Sequence, residues 1–302
     1  MASLSAMDLP RKLGPYRLVE RIGRGGMAEV FLARAFGASG FEKRVAIKTV
    51  RPELQGDGAL ERILIDEARL AAGLSHRNLV GVHDLGVDAG VYYVRMDYLD
   101  AGDLGAALAR ALPGPALALH LVGEIAQALA YLHRATDDQG RSLGLVHRDV
   151  SPQNVLLSRA GEVKLADLGI AKATLAVDPN QSYVRKGKLG YMSPEQVAGV
   201  PVTARSDLFS LGVTLYELLV GRTPFQGGSP VQTLERLRAA ELPPLERLDA
   251  PLAAVLRRML ARRPEDRFES AEDLLEALRG AARELPEPGP DALRRWLGRA
   301  DR

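Results

Sequence analysis

The chain has 302 residues, 40 of them basic and 38 acidic, and a net charge of +2 gives no basic footprint for nucleic acid or an anionic membrane surface. A hydrophobic content of 46% suffices for a sizeable core, in one bilobal domain or two small ones, and excludes a disordered chain. With no cysteine, disulfides, thiolate zinc sites and cysteine nucleophiles are excluded, which suits a reducing compartment and a cytoplasmic location.

Residues 1–15 read as a short N-terminal extension, of which 1–14 are polar-mixed and frayed. Tyr16–Val19 begins a strand that runs into Gly23-Arg24-Gly25-Gly26-Met27-Ala28-Glu29-Val30. Glycines there let backbone amides approach phosphate oxygens with no side chain between. A dinucleotide-binding loop opens a helix, whereas Glu29–Ala33 alternates like a returning strand, so the spacing predicts strand, loop, strand. After the turn-rich stretch from Phe36 to Phe41, Val45–Val50 forms a strand with Lys48 pointing away from its apolar neighbours. Leu60, Ile63, Leu64, Ala71 and Leu74 make an apolar stripe at helical spacing, and Glu67 lies on it. A buried glutamate needs a partner, whereas Glu61 and Asp66 fall off the stripe toward solvent.

His76 closes this helix and reads as a hydrogen-bonded core histidine. Strands over Val80–Leu85 and Val91–Met96 lead into Asp97–Asp103, where Asp103 suits the N-cap of a helix over Leu104–Arg110. Ala116–Arg134 is a long apolar helix. The longest apolar region, from Pro115 to Leu132, carries His120, Glu124 and Gln127, so it predicts a core helix and a soluble chain with no membrane span.

Beyond the polar loop at Thr136–Ser142, two short apolar runs, Val155–Leu157 and Val163–Leu165, flank the turn-forming Ser158–Glu162 and predict a hairpin. Asp149 and Asn154 precede its first strand and Asp167 follows its second, which brings two carboxylates and an amide to one loop edge. Such oxygens attract a hard cation, and an Asp left free of the metal can accept a hydroxyl proton. Individually each is an ordinary turn residue. Farther on, Asp207 opens an apolar helix reaching Leu219, helices follow over Ser229–Ala240, Leu252–Arg262 and Ala271–Glu284, and Asp291–Arg302 forms a short amphipathic tail carrying Trp296.

The glycine-rich loop, Val45-Ala46-Ile47-Lys48, His147-Arg148-Asp149, Asn154, Asp167-Leu168-Gly169 and Ser193-Pro194-Glu195 occur in an order that resembles the eukaryotic-type (Hanks-type) protein kinases, over roughly residues 16 to 280. Pro152-Gln153-Asn154 resembles the bacterial serine/threonine members. The resemblance implies an α+β, bilobal fold, with a small β-rich N-lobe at 16–96, a hinge at 97–103, a larger, mainly helical C-lobe at 104–284 and a tail at 285–302. It implies ATP with Mg2+ or Mn2+, and a protein substrate bearing a serine or threonine hydroxyl. By resemblance Asp149 takes the hydroxyl proton, Asn154 and Asp167 hold metal, and Lys48, paired with Glu67, meets the phosphates. Ile22, Gly23, Gly25, Gly26, Val30, Ala46 and Leu156 surround the nucleotide, with Met96 as gatekeeper. The Asp97 carbonyl and Leu99 amide meet the adenine edge, and Asp103 meets the ribose. Glu195 pairs with Arg267, and Asp207 holds the catalytic-loop backbone. Ile170–Lys188 resembles an activation loop in which Thr174 and Ser182 are candidates for autophosphorylation through a transient homodimer, with Arg148 to receive the phosphate.

Three positions depart from the family pattern. Ala28 stands where the third glycine is common, Ser151 where a lysine meets the γ-phosphate, and Lys188 where a threonine bonds the catalytic aspartate. Ser151 and Lys188 read as a swap that preserves positive charge beside Asp149. The alternative is a non-catalytic, nucleotide-binding signalling module; a small-molecule phosphotransferase is a third reading, against which the Tyr191–Glu195 segment weighs.

Overall fold

Burial alternates at the start of Tyr16–Arg24 and becomes nearly continuous toward the end of Glu42–Val50, and these strands with Ala28–Phe36 between them are the centre of a six-stranded antiparallel sheet. The computed structural model describes residues 9–169, 188–246, 248–288 and 291–300. Among these, one compact unit takes in the chain up to Ser75 together with Val80–Tyr98, and a second takes in His76–Leu79 and the chain from Leu99 onward. The expected α+β division is present: one unit is sheet-rich and the other mainly helical.

In the first unit the strands are β1 (Arg11–Leu13), β2 (Tyr16–Arg24), β3 (Ala28–Phe36), β4 (Glu42–Val50), β5 (Val82–Asp88) and β6 (Val91–Met96), ordered β1-β2-β3-β4-β6-β5. Leu18, Ala33 and Ile47 are almost wholly buried in one cluster with Tyr93, whose ring meets Tyr16 edge-on at 5.7 Å. Gly86 lies against that ring, since a Cβ there would stand 2.3 Å from it. The helix α1 (Gly58–Ala72) is capped by Asp57, whose carboxylate accepts from the Ala59 and Leu60 amides. It buries Leu60, Ile63, Leu64 and Ala68, a stripe shifted slightly from the expected one because the helix stops before Leu74.

Two differences from expectation have local causes. Arg11–Leu13 is a strand, not a frayed end: it pairs with β2, and the Gly14 amide donates to Asp88 Oδ2 at 2.6 Å. The strand expected from Val80 starts at Val82, because the Gly81 backbone exchanges hydrogen bonds with the Asp97 amide and carboxylate before the ladder begins.

Among the described residues the second unit holds α2 (Leu104–Leu108), α3 (Pro115–His133), the hairpin β7 (Val155–Leu157) and β8 (Val163–Leu165), and six further helices. These are α4 (Pro194–Ala198), α5 (Ala204–Val220), α6 (Pro230–Ala239), α7 (Ala250–Met259), α8 (Ala271–Ala281) and α9 (Ala292–Ala300). Among the described residues α3 is the one helix long and apolar enough to cross a membrane, but Leu121, Ile125, Leu129 and Leu132 form the core of this unit. It packs against α5, α8 and β8. The helix α7 ends at Met259 instead of Arg262 because the Ala261 and Arg262 carbonyls accept from Arg267. In α9, Leu293, Trp296 and Leu297 are buried, and Arg294 donates to the Ala160 carbonyl in the β7–β8 turn at 2.9 Å.

Candidate functional site

The Asp207 carboxylate, buried near the start of α5, accepts the backbone amides of His147 at 2.7 Å and Arg148 at 2.8 Å, and meets His133 Nε2 at 2.8 Å. A carboxylate so placed fixes the loop that carries Asp149. His147 is fully enclosed. Its Nδ1 accepts from the Asp149 amide and its Nε2 faces the Ala166 carbonyl, which sets the neutral tautomer with the proton on Nε2. Burial lowers its pKa below the ordinary value, against the pull of Asp207 and Asp149, in keeping with that neutral ring.

Arg148 (φ 64°) and Asp167 (φ 57°) both adopt left-handed backbone, a conformation that costs non-glycine residues about 1–3 kcal/mol and persists where surrounding contacts enforce it. The enforcing contacts are visible. The Arg148 amide is held by Asp207, its carbonyl accepts from Gln196 Nε2 at 2.9 Å, and the Gly169 amide donates to the His147 carbonyl at 2.9 Å. A Cβ at Gly169 would stand 2.6 Å from that same carbonyl, so this approach requires glycine.

Within this frame Asn154, Asp149 and Lys188 are hydrogen-bonded to one another. Asn154 Nδ2 donates to the Asp149 carbonyl at 2.8 Å and to Asp149 Oδ2 at 2.9 Å. Lys188 Nζ donates to Asp149 Oδ2 at 2.9 Å and to Asn154 Oδ1 at 2.8 Å. Ser151 is 1% exposed, and its hydroxyl has no hydrogen-bond partner among the described residues. The Ala166 amide donates to the Asn154 carbonyl, which ties the start of β7 to the end of β8, just before the exposed Asp167. Leu156 pairs with Asp103 in an isolated bridge, and Asp103 Oδ1 caps α2 by accepting from the Ala106 amide at 2.8 Å. Leu99 is buried in this unit.

In the first unit, Lys48 Nζ meets Glu67 Oε1 at 2.8 Å, both side chains largely buried; Glu61 instead accepts from the Gly56 amide, and Asp66 is exposed. Gly25 and Gly26 form the turn between β2 and β3, with the Gly25 amide bonded to the Ala28 carbonyl at 2.6 Å. Gly23 faces Val30 across the ladder, Ala46 faces Met96, and Ile22 is exposed. Sequence reading missed Glu29, which is buried and paired with Arg21 at 3.0 Å and Arg24 at 3.3 Å. Arg24 also meets Glu53, and Arg51 donates to the Gly26 carbonyl, so ion pairs brace the glycine turn. Asp97 accepts from Gly81 and contacts His83 Nε2 at 2.7 Å.

Two further carboxylates take opposite electrostatic directions. Burial would raise Glu195, but Arg267 and then Ser206 outweigh it and hold the carboxyl below the ordinary value. Glu217 has only a phenol, the Tyr191 hydroxyl donating at 2.5 Å, and burial pushes it up. The same contact and burial raise Tyr191. Neither the Tyr191–Glu217 contact nor the His133–Asp207 contact has a sequence signal, since each joins residues far apart in the chain. Ser193 and Gln196 form a capping box, which is a local signal, but the contact of Gln196 with the Arg148 carbonyl, 48 residues away, has none. His76 stacks on Tyr131 and accepts from the Asn78 amide, hydrogen-bonded as expected but half-buried, not in the core. Thr174 and Ser182 lie outside the described residues.

Among the described residues no three His, Asp or Glu side chains cluster as metal ligands. Of the two expected metal ligands, Asp167 presents an exposed carboxylate, a hard oxygen of the kind Mg2+ takes, whereas the Asn154 amide oxygen already accepts from Lys188 at 2.8 Å.

Residues 16–277 match the family described as "Protein kinase domain". The chain is 42% identical over 282 residues to the tyrosine-protein kinase MasK of Myxococcus xanthus, covering 90% of this chain and 44% of that protein. It is 34% identical to the serine/threonine-protein kinase PrkC of Bacillus subtilis, covering 86% of this chain and 39% of that one. The corresponding figures for the serine/threonine-protein kinase PknB of Mycobacterium leprae are 36%, 93% and 46%. The chain spans less than half the length of each of these relatives.

Proposed function

This chain belongs to the protein kinase family, and from that premise we propose that it transfers the γ-phosphoryl group of Mg2+-ATP to a serine or threonine hydroxyl of a protein substrate. The observation that carries the reading is the Asp149 carboxylate, held by Asn154 Nδ2 and Lys188 Nζ at 2.9 Å each on a loop anchored by Asp207. A general base must be aimed before substrate arrives, and this one is. Asp149 accepts the hydroxyl proton as oxygen attacks the γ-phosphorus and the bond to the β-phosphate oxygen breaks. Lys48, held by Glu67, meets the α- and β-phosphates. Asp167, and by the family pattern Asn154, would hold divalent metal, which on binding screens the phosphate charge. Glycine backbone at 23, 25 and 26 lets amides reach phosphate oxygens, and Asp97, Leu99 and Asp103 would serve adenine and ribose.

Serine and threonine are favoured over tyrosine by Pro152-Gln153-Asn154 and by the names of PrkC and PknB, although MasK is named a tyrosine kinase. Autophosphorylation in trans at Thr174 or Ser182, with Arg148 as receiver, belongs to the same reading. The test is incubation with labelled ATP, Mg2+ and a generic basic protein, followed by phosphoamino-acid analysis. Phosphoserine or phosphothreonine is expected. Label on tyrosine alone would overturn the specificity, and intact nucleotide binding without any transfer would leave the chain a nucleotide-binding signalling module.

A further inference from the structure

Asn154 has a determined orientation. Its Nδ2 must face the two Asp149 oxygens, so its Oδ1 must face Lys188, and the ammonium lies 2.8 Å away. Asn154 is 4% exposed and pinned at both ends of its amide. The oxygen that the kinase reading gives to a divalent ion therefore already carries a cation. A second positive charge on that oxygen would be only a few ångströms from the ammonium, in a part-buried place where repulsion is poorly screened. Lys188 also neutralises Asp149 Oδ2, the other anionic oxygen a stray ion would seek. Ser151 offers the neighbourhood only a short, neutral hydroxyl.

We propose that Lys188 is the resident cation of this site, standing on Asn154 Oδ1 in place of a divalent ion, so that nucleotide loads with one ion, carried by Asp167, instead of two. The proposal rests on the kinase reading and narrows its metal requirement: Asn154 positions a lysine, and only Asp167 binds metal. A lysine is a tethered charge that needs no free Mg2+ to fill the position. It costs the site the stronger field of a doubly charged ion.

The test counts ions without requiring turnover. The purified chain, saturated with a non-hydrolysable ATP analogue, is titrated with Mn2+, and free Mn2+ is read from its paramagnetic resonance signal. One ion per chain is expected for the wild type and for Lys188→Arg, and two for Lys188→Ala, which opens Asn154 Oδ1. Two ions in the wild type, or an unchanged count in a folded Lys188→Ala, would overturn the proposal and leave the kinase reading standing. No analogue binding by the wild type would overturn both. In parallel, at Mg2+ equal to ATP, Lys188→Ala is expected to turn over about 100-fold more slowly, recovering about 10-fold in excess Mg2+, whereas the wild type gains little from the excess.

Discussion

Two of the cation–carboxylate pairs in the second unit, Arg267–Glu195 and Lys188–Asp149, differ in how the cation is used. All five N–H groups of Arg267 are engaged: two on Glu195, at 2.7 and 2.9 Å, and three on the carbonyls of Arg205, Ala261 and Arg262. Its side chain is 0% exposed, and Glu195 is further fixed by Ser206. Lys188 and Asp149 are each 15% exposed, and the lysine bridges two oxygens assigned to chemistry. A planar guanidinium with a full set of partners locks chain segments together, whereas a compact ammonium beside the proposed catalytic carboxylate supplies charge. The first pair should therefore govern stability and the second turnover.

The largest effect should come from breaking the first pair. Arg267→Ala leaves Glu195 buried without its cation and is expected to cost about 3–5 kcal/mol, read as a lower denaturant midpoint. A loss below ~1 kcal/mol would mean that water compensates. Next, Asp149→Asn should slow transfer by about 10³-fold while nucleotide affinity and denaturant midpoint stay near wild type, since in the proposed reaction the carboxylate acts on the hydroxyl. A large rise in nucleotide Kd would reassign Asp149 to binding. Moving the charge sharpens the contrast: Ser151→Lys with Lys188→Thr should recover part of the turnover that Lys188→Ala loses, and no recovery would make the two departures unrelated.

The smallest effect is in pH. Glu195 lies below its ordinary 4.5 when folded, because Arg267 and Ser206 outweigh burial, so it contributes stability above pH 4.5 that is lost as pH falls through its folded value. Glu217, raised by burial, runs the other way: the folded chain binds its proton more readily, so it gains stability as pH falls through a folded value above 4.5. Denaturant midpoints measured on the acid side should fall more steeply in Glu217→Gln than in the wild type. Parallel profiles would show that Tyr191 already compensates the charge of Glu217.

The hairpin was legible because both of its strands and its turn lie within a dozen residues, where alternation and turn chemistry speak directly. Glu67 was separable from Glu61 and Asp66 for the same reason: a helical stripe is local information. The nearness of Lys188 to Asp149 was inferred only through a family pattern, since the residues are 39 apart. The bracing of the glycine turn by Glu29, Arg24 and Glu53 was invisible, because charged residues on a strand read as solvated until the partner strand is placed. Arg11–Leu13, paired with the neighbouring β2, is too short for periodicity to mark it as a strand.

The Asp207 anchor has a consequence for the order in which the molecule forms. It joins residues separated by 74, 60 and 59 positions, so the loop bearing Asp149 can take its strained shape only after the chain has closed those spans. Local helices such as α3 can appear early, but the catalytic geometry is assembled from contacts of high sequence separation and belongs to the slow end of folding. A refolding population would thus recover helical signal before phosphoryl transfer. In the native state, any opening that lifts the start of α5 releases the His147 and Arg148 amides together and disarms Asp149 without unfolding the rest of the unit.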